Sequence, residues 1–138
     1  MNSEKYKVKV IDGEAVEEDR NGRKLLRIKI TAEVGGIRRD YTMTFSRRRA
    51  DNAAVCWAYV RADAPEVRET DAERFADAER FAAMIKALTG RMPGVYHIKG
   101  GKIKIECYEG HLEGFRRYAE LADAIEKWLK GTNHSSTL

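Results

Sequence analysis

Glutamine is absent from this 138-residue chain, and proline and cysteine occur only twice each. Asparagine is nearly as scarce, while aspartate, glutamate, lysine and arginine make up 35% of the residues. Few thermolabile amides among many ionisable side chains is the composition of a thermophile's protein, supported by ion-pair networks. No apolar run approaches about 18 residues, so there is no candidate membrane span, and the first residues lack a secretory signal pattern. The expectation is a soluble, cytoplasmic protein with no membrane partner. Cys56 and Cys107 lie far apart and form no Cys-x-x-Cys motif. Both fall in apolar strand patterns and read as buried thiols; a disulfide between them is the alternative that a hyperthermophile's cytosol allows.

The same scarcity excludes most enzyme classes. His97, His111 and His134 have no paired ligand spacing, so no metal site is expected. No serine sits in a Gly-x-Ser-x-Gly turn, and neither cysteine has a basic neighbour to lower its pKa. The two Gly-Gly pairs lack the strand-to-helix context of a phosphate cradle. The chain therefore reads as a non-enzyme, with no cofactor and no small-molecule substrate. Glu33 and Asp40 are the exception weighed: two carboxylates among arginines can hold a magnesium ion for phosphodiester cleavage, or can simply form local ion pairs.

What is abundant is charge, and it is segregated. From Arg20 to Arg49 ten basic residues stand against Glu33 and Asp40; from Asp63 to Arg80 seven acidic residues stand against three arginines. Such separation suits a polyanion-binding face, or an acidic helix that neutralises a basic sheet.

The periodicities give an α+β fold: an antiparallel sheet of five to six strands with two long amphipathic helices on one face. Residues 1–131 form one domain and 132–138 a flexible tail. Tyr6, Val8 and Val10 alternate with lysines in a first strand, and Asp12-Gly13 suits a turn. Leu26, Ile28, Ile30, Ala32 and Val34 alternate with charged and polar residues. Gly35-Gly36 is a two-residue hairpin turn, because glycine accepts the positive φ required. Register follows: 34 faces 37, 30 faces 41, 28 faces 43 and 26 faces 45. Val55, Trp57 and Tyr59 alternate with Cys56, Ala58 and Val60; both sets are apolar, which predicts a strand covered on both faces. A second Gly-Gly turn, Gly100-Gly101, pairs Tyr96 and Ile98 with Ile105 and Ile103 on the core side, and leaves His97 and the lysines outward.

Thr70-Asp71-Ala72-Glu73 is a capping box, and Gly90 an αL stop, for a helix to about Thr89. Within it Asp71-Ala72-Glu73-Arg74-Phe75-Ala76 repeats at once as residues 77–82. Six residues are not a whole number of turns, so Phe75 points about 120° away from the core-facing Phe81. The last helix is predicted over about His111 to Lys130, with Leu112, Phe115, Ala119, Ala122, Ile125 and Leu129 as its stripe, widened by Leu121 and Trp128. Gly114 inside it suits a close backbone approach.

The best functional signal is the polar row of the sheet. Arg27, Lys29, Arg38, Lys99, Lys102 and Lys104 form one basic face if the two hairpins share a sheet, and Arg47, Arg48 and Arg49 lie at its rim. Non-enzymatic nucleic-acid binding, with DNA the expected partner, is the leading expectation. Aromatic stacking is the weaker variant, because Tyr41, Phe45 and Tyr96 fall on the expected core side; Trp57 and Tyr59 line a cleft only if their strand is less buried. The competing class is a homodimeric assembly module that uses Phe75, Trp128 or an exposed sheet edge.

The run Phe81 to Gly90 (FAAMIKALTG) and the run His111 to Leu129 (HLEGFRRYAELADAIEKWL) resemble the PaRep proteins, multicopy crenarchaeal proteins of uncharacterised function. The resemblance covers most of the chain, implies a thermophilic archaeal origin and supplies no catalytic residues. More distantly, helix, Gly-Gly hairpin and helix over about 71–130, preceded by another hairpin, is similar to part of a LAGLIDADG homing-endonuclease half, a fold that lays its sheet on DNA. The motif helix and its catalytic acid are missing here, since strands occupy the N-terminal region, so that resemblance implies DNA contact or a degenerate nuclease.

Overall fold

The computed structural model describes residues 6–60, 71–98 and 102–132. Its strands are β1 (Val8–Arg20), β2 (Arg23–Val34), β3 (Ile37–Arg47), β4 (Ala54–Val60), β5 (Gly94–Ile98) and β6 (Lys102–Tyr108). Its helices are α1 (Asp71–Thr89), α2 (Glu109–Phe115) and α3 (Ala119–Gly131). The strands form one antiparallel sheet in the order β1-β2-β3-β4-β6-β5. The α+β class is as expected, with six strands and three helices.

The first hairpin has the expected register. Val34 pairs with Ile37, Ile30 with Tyr41, Ile28 with Met43 and Leu26 with Phe45, and Gly35 and Gly36 both have positive φ. Leu26, Ile28, Met43 and Phe45 are almost wholly buried beneath the helices, because a one-residue slip would expose the whole apolar row. Asp12-Gly13 is not a turn. It follows a bulge at Ile11 that resets the parity of β1, so that Gly13 and Ala15 return to the helix side of the sheet. Gly13 then lies under α3, where a Cβ would meet Leu121 at 3.5 Å.

The second hairpin differs from expectation by one residue. Ile98 pairs with Lys102, His97 with Ile103 and Tyr96 with Lys104, which leaves three residues between the strands; Lys99 and the Gly100-Gly101 pair lie outside the described residues. Tyr96 and Ile98 thus share the outer face with Lys102 and Lys104. His97 turns to the helix side, where its ring stacks on Phe75 at 5.7 Å with 12° between planes. β4 is also not covered on both faces: Cys56 and Ala58 are buried against the helices, but Trp57 projects outward, 55% exposed.

β3 and β4 pair over only three positions, Phe45 with Cys56, Ser46 with Val55 and Arg47 with Ala54. Beyond them β3 follows β2, and β4 follows β6. The sheet is therefore two three-stranded halves joined at one end. α1 packs across both halves, with Phe81 against Tyr41 at 5.0 Å. Cys56 and Cys107 face each other across β4 and β6 as free, buried thiols. Burial pushes Cys56 up to about 12 and Cys107 up as well, so neither is a reactive thiolate.

The single last helix of the sequence pattern is broken in two. Arg116, Arg117 and Tyr118 interrupt it, with Tyr118 extended as N-cap of α3, and Arg117 and Tyr118 donating to carbonyls three residues back. The break re-phases the buried stripe. Leu112 and Phe115 serve α2 under β4 and β6, whereas Leu121, Ile125 and Trp128 serve α3 under β1 and β2. One straight helix cannot follow two splayed halves. Arg116 bridges the break, bonding Glu113 at 2.9 Å and Glu126 at 2.8 Å. At the tail, Thr132 is buried and bonds the Trp128 carbonyl; residues 133–138 lie outside the described residues.

His111 is a helix cap. Its Nδ1 accepts the Tyr108 N–H at 3.0 Å, so Nε2–H is the donor to the Met92 carbonyl at 3.1 Å. Burial lowers its pKa below 6.5. The unfolded chain thus takes up the proton first, and this contribution to stability is complete above about pH 6.5 and is lost as pH falls through the folded value. Urea unfolding should show stability declining from neutral pH to about pH 5, and a His111→Gln variant should flatten that decline. A Cβ on Gly114 would lie 2.7 Å from Thr89 Cα and Cβ, on the backbone of α1. Gly114→Ala should cost a net 1–2 kcal/mol or so in the same experiment, overpacking outweighing the gain in helix propensity.

Candidate nucleic-acid interface

All three helices pack on one face of the sheet, and no described element covers the other. The two hairpins do share a sheet, the condition on which a common polar face depended. That face is not uniformly basic. In the β1–β3 half Arg27 pairs with Glu18 at 3.0 Å, Lys29 lies 3.9 Å from Asp40, and Asp40 also accepts from Thr31 at 2.6 Å. Glu33 stands opposite Arg38 in the ladder. No three His, Cys, Asp or Glu side chains among the described residues are grouped to hold a metal ion. Among the described residues the acidic helix contributes a link of the expected kind: Asp77 lies 3.8 Å from Arg39 and also pairs with Arg80.

The β4–β6–β5 half is different in kind. Trp57, Tyr96 and Tyr108 are all exposed there. Lys104 Nζ lies 5.4 Å from the ring centres of both Trp57 and Tyr96, within cation–π range, and 3.8 Å from Glu106. Tyr96 was expected in the core; the one-residue shift of register puts it outside. Beside Trp57 a cleft of about 310 Å³ runs toward Arg20 and Arg23, and Leu25 and Val55 form its buried floor.

At the end of the sheet where β3 meets β4, an open groove of about 680 Å³ is lined by Arg23, Lys24, residues 47–52 and the end of α3. The three consecutive arginines there have three different roles. Arg47 follows Phe45 in parity and so turns to the helix side, with its side chain only 14% exposed. Its guanidinium bonds Thr132 Oγ1 at 3.0 Å, the Asn52 carbonyl at 2.9 Å, Glu109 at 3.2 Å and the Leu129 carbonyl at 3.2 Å. It also lies over the buried Trp128 ring at 5.1 Å. Arg48 makes a bidentate pair with Asp51 at 3.0 and 2.8 Å, which holds that carboxyl down at about 2. Arg49 is exposed and makes no ion pair among the described residues.

The expected residues are therefore only partly brought together. Arg27, Lys29, Lys102 and Lys104 share the outer face, while Arg48 and Arg49 sit at the basic end with Arg23 and Lys24. Arg38 is at the far tip of the first hairpin, about 30 Å along β3 from Arg48 at strand rise. Lys99 lies outside the described residues, and Arg47 is internal. Of the residues proposed for assembly, Trp128 is fully buried, its indole N–H bonded to the Lys24 carbonyl at 3.0 Å, while Phe75 is exposed, with its ring stacked on His97.

Compared with family models, with curated proteins and with solved structures, the chain matches none. Among the described residues, no helix is long and apolar enough to cross a membrane.

Arg47→Ala should destabilise the fold by about 2–3 kcal/mol, because buried acceptors lose their donor. Arg49→Ala should change stability by no more than about 0.5 kcal/mol, as an exposed charge does. Denaturant midpoints with unchanged slopes check both.

Proposed function

We propose that this protein binds nucleic acid, without catalysis, through the open sheet face and the basic end that adjoins it. The observation that carries the reading is a group of cations, among those that enter no ion pair, gathered at the open face and its end. Arg23, Lys24, Arg49 and Lys102 have no carboxylate partner among the described residues; Arg23 and Lys102 lie by strand parity on the sheet face that no described helix covers, and Lys24 and Arg49 line the groove at its end. A cation that is already paired gives up that partner when it meets a phosphate; an unpaired one releases condensed counterions at no such cost. The ion-paired Arg27 and Lys29 are then secondary contacts, and Arg47 contributes by holding the loop that presents Arg48 and Arg49. DNA remains the expected partner on the sequence reading.

Fluorescence anisotropy with labelled oligonucleotides across a salt series tests this. The affinity should fall with salt at a log–log slope of about −3 to −4, as four phosphate contacts require. Replacing Lys24 or Arg49 with alanine should each reduce the slope by about one. Absence of binding at low salt, or binding indifferent to salt, contradicts the reading.

A further inference from the structure

We propose that the ligand of this face is a single strand, with bases stacked on Trp57 and Tyr96 on either side of Lys104. This rests on the nucleic-acid reading above and narrows it.

Trp57 sits on β4, between β3 and β6, yet it is 55% exposed, and Tyr96 on edge strand β5 is 47% exposed. An interior strand of a sheet is the place where a tryptophan is most easily covered, so an uncovered ring there asks for a ligand. The two rings flank β6. Trp57 is level with Glu106 and Tyr96 with Lys104, two strand spacings apart across the sheet and two residues apart along it, or about 12 Å between their backbones. Lys104 Nζ lies 5.4 Å from both ring centres and 3.8 Å from Glu106, so a cation that must exchange one carboxylate for a phosphate stands between the two apolar plates.

Two aromatic rings on either side of one lysine are complementary to two flat bases joined through a phosphate. A duplex cannot use it, because its bases already stack on one another and offer only edges and backbone. The cleft beside Trp57 continues the track toward Arg23, so a strand crossing the platform reaches an unpaired cation at its end. A peptide partner fits less well, since the two rings are separated by a cation rather than by a continuous apolar patch.

Trp57 is also a built-in reporter. The chain has two tryptophans, and Trp128 is fully buried. Thymidine and uridine oligomers of about 15 nucleotides, and a duplex of equal length, should be titrated against the full chain while tryptophan emission and anisotropy are followed. Both single strands should quench the exposed tryptophan; the ratio of their affinities tells DNA from RNA. Trp57→Ala and Tyr96→Ala should each weaken single-strand binding about tenfold, Trp57→Phe should restore most of it, and duplex affinity should change by less than about twofold. If binding persists but both alanine variants keep single-strand affinity within about twofold, stacking is refuted while the nucleic-acid reading stands. If the unaltered protein binds no oligonucleotide at low salt, both fall.

Discussion

Three residue pairs between β3 and β4, closed at their end by the guanidinium of Arg47, hold the two halves of the sheet together. The other inter-strand ladders are longer, with twelve pairs between β1 and β2 and nine between β2 and β3. Arg47 compensates for the short seam by acting at four places at once. It ties the seam to loop 48–52, to the first residue of α2, and to the last turn of α3. Four of the five donors of its guanidinium are engaged, in a fork that lysine cannot reproduce. The open outer face exists as one surface only because this seam holds.

The helices obey the same constraint. Splayed halves need separate covers, which is why the C-terminal apolar stripe divides between α2 and α3, while α1 spans the gap with Phe81, Met84 and Ile85. The Gly114–Thr89 contact lets α2 approach α1 closely enough for Leu112 and Phe115 to reach β4 and β6. With every described helix on one side, the other is left open, where charges largely cancel over β1–β3 and aromatic rings stand exposed over β4–β6–β5.

The parts legible in the sequence are those where one parity is apolar and the other polar. Leu26 to Val34 alternates cleanly, and the first hairpin follows residue for residue. Gly94–Ile98 does not: Val95, Tyr96 and Ile98 put apolar residues on both parities, so a one-residue shift had no penalty to reveal it, and Tyr96 was assigned to the core. Ala54–Val60 is apolar on both parities for the same reason, which hid the exposure of Trp57. Arg47 could have been found: it is two residues from the core residue Phe45, so strand alternation alone sends it inward, but its place in a run of three arginines disguised it. The helix break carried no such signal, because it answers to the splay of the sheet rather than to any local residue.

The outer face is where nucleic acid is proposed to lie. Amide and indole NMR shifts, recorded while a short single strand is added at low salt, test this most directly. Perturbations should cluster at the Trp57 indole, Tyr96, Lys104 and the loop of Arg48 and Arg49, with the solvent-facing residues of α1 and α3 unmoved. Shifts confined to the helical side, or none at all, would contradict it.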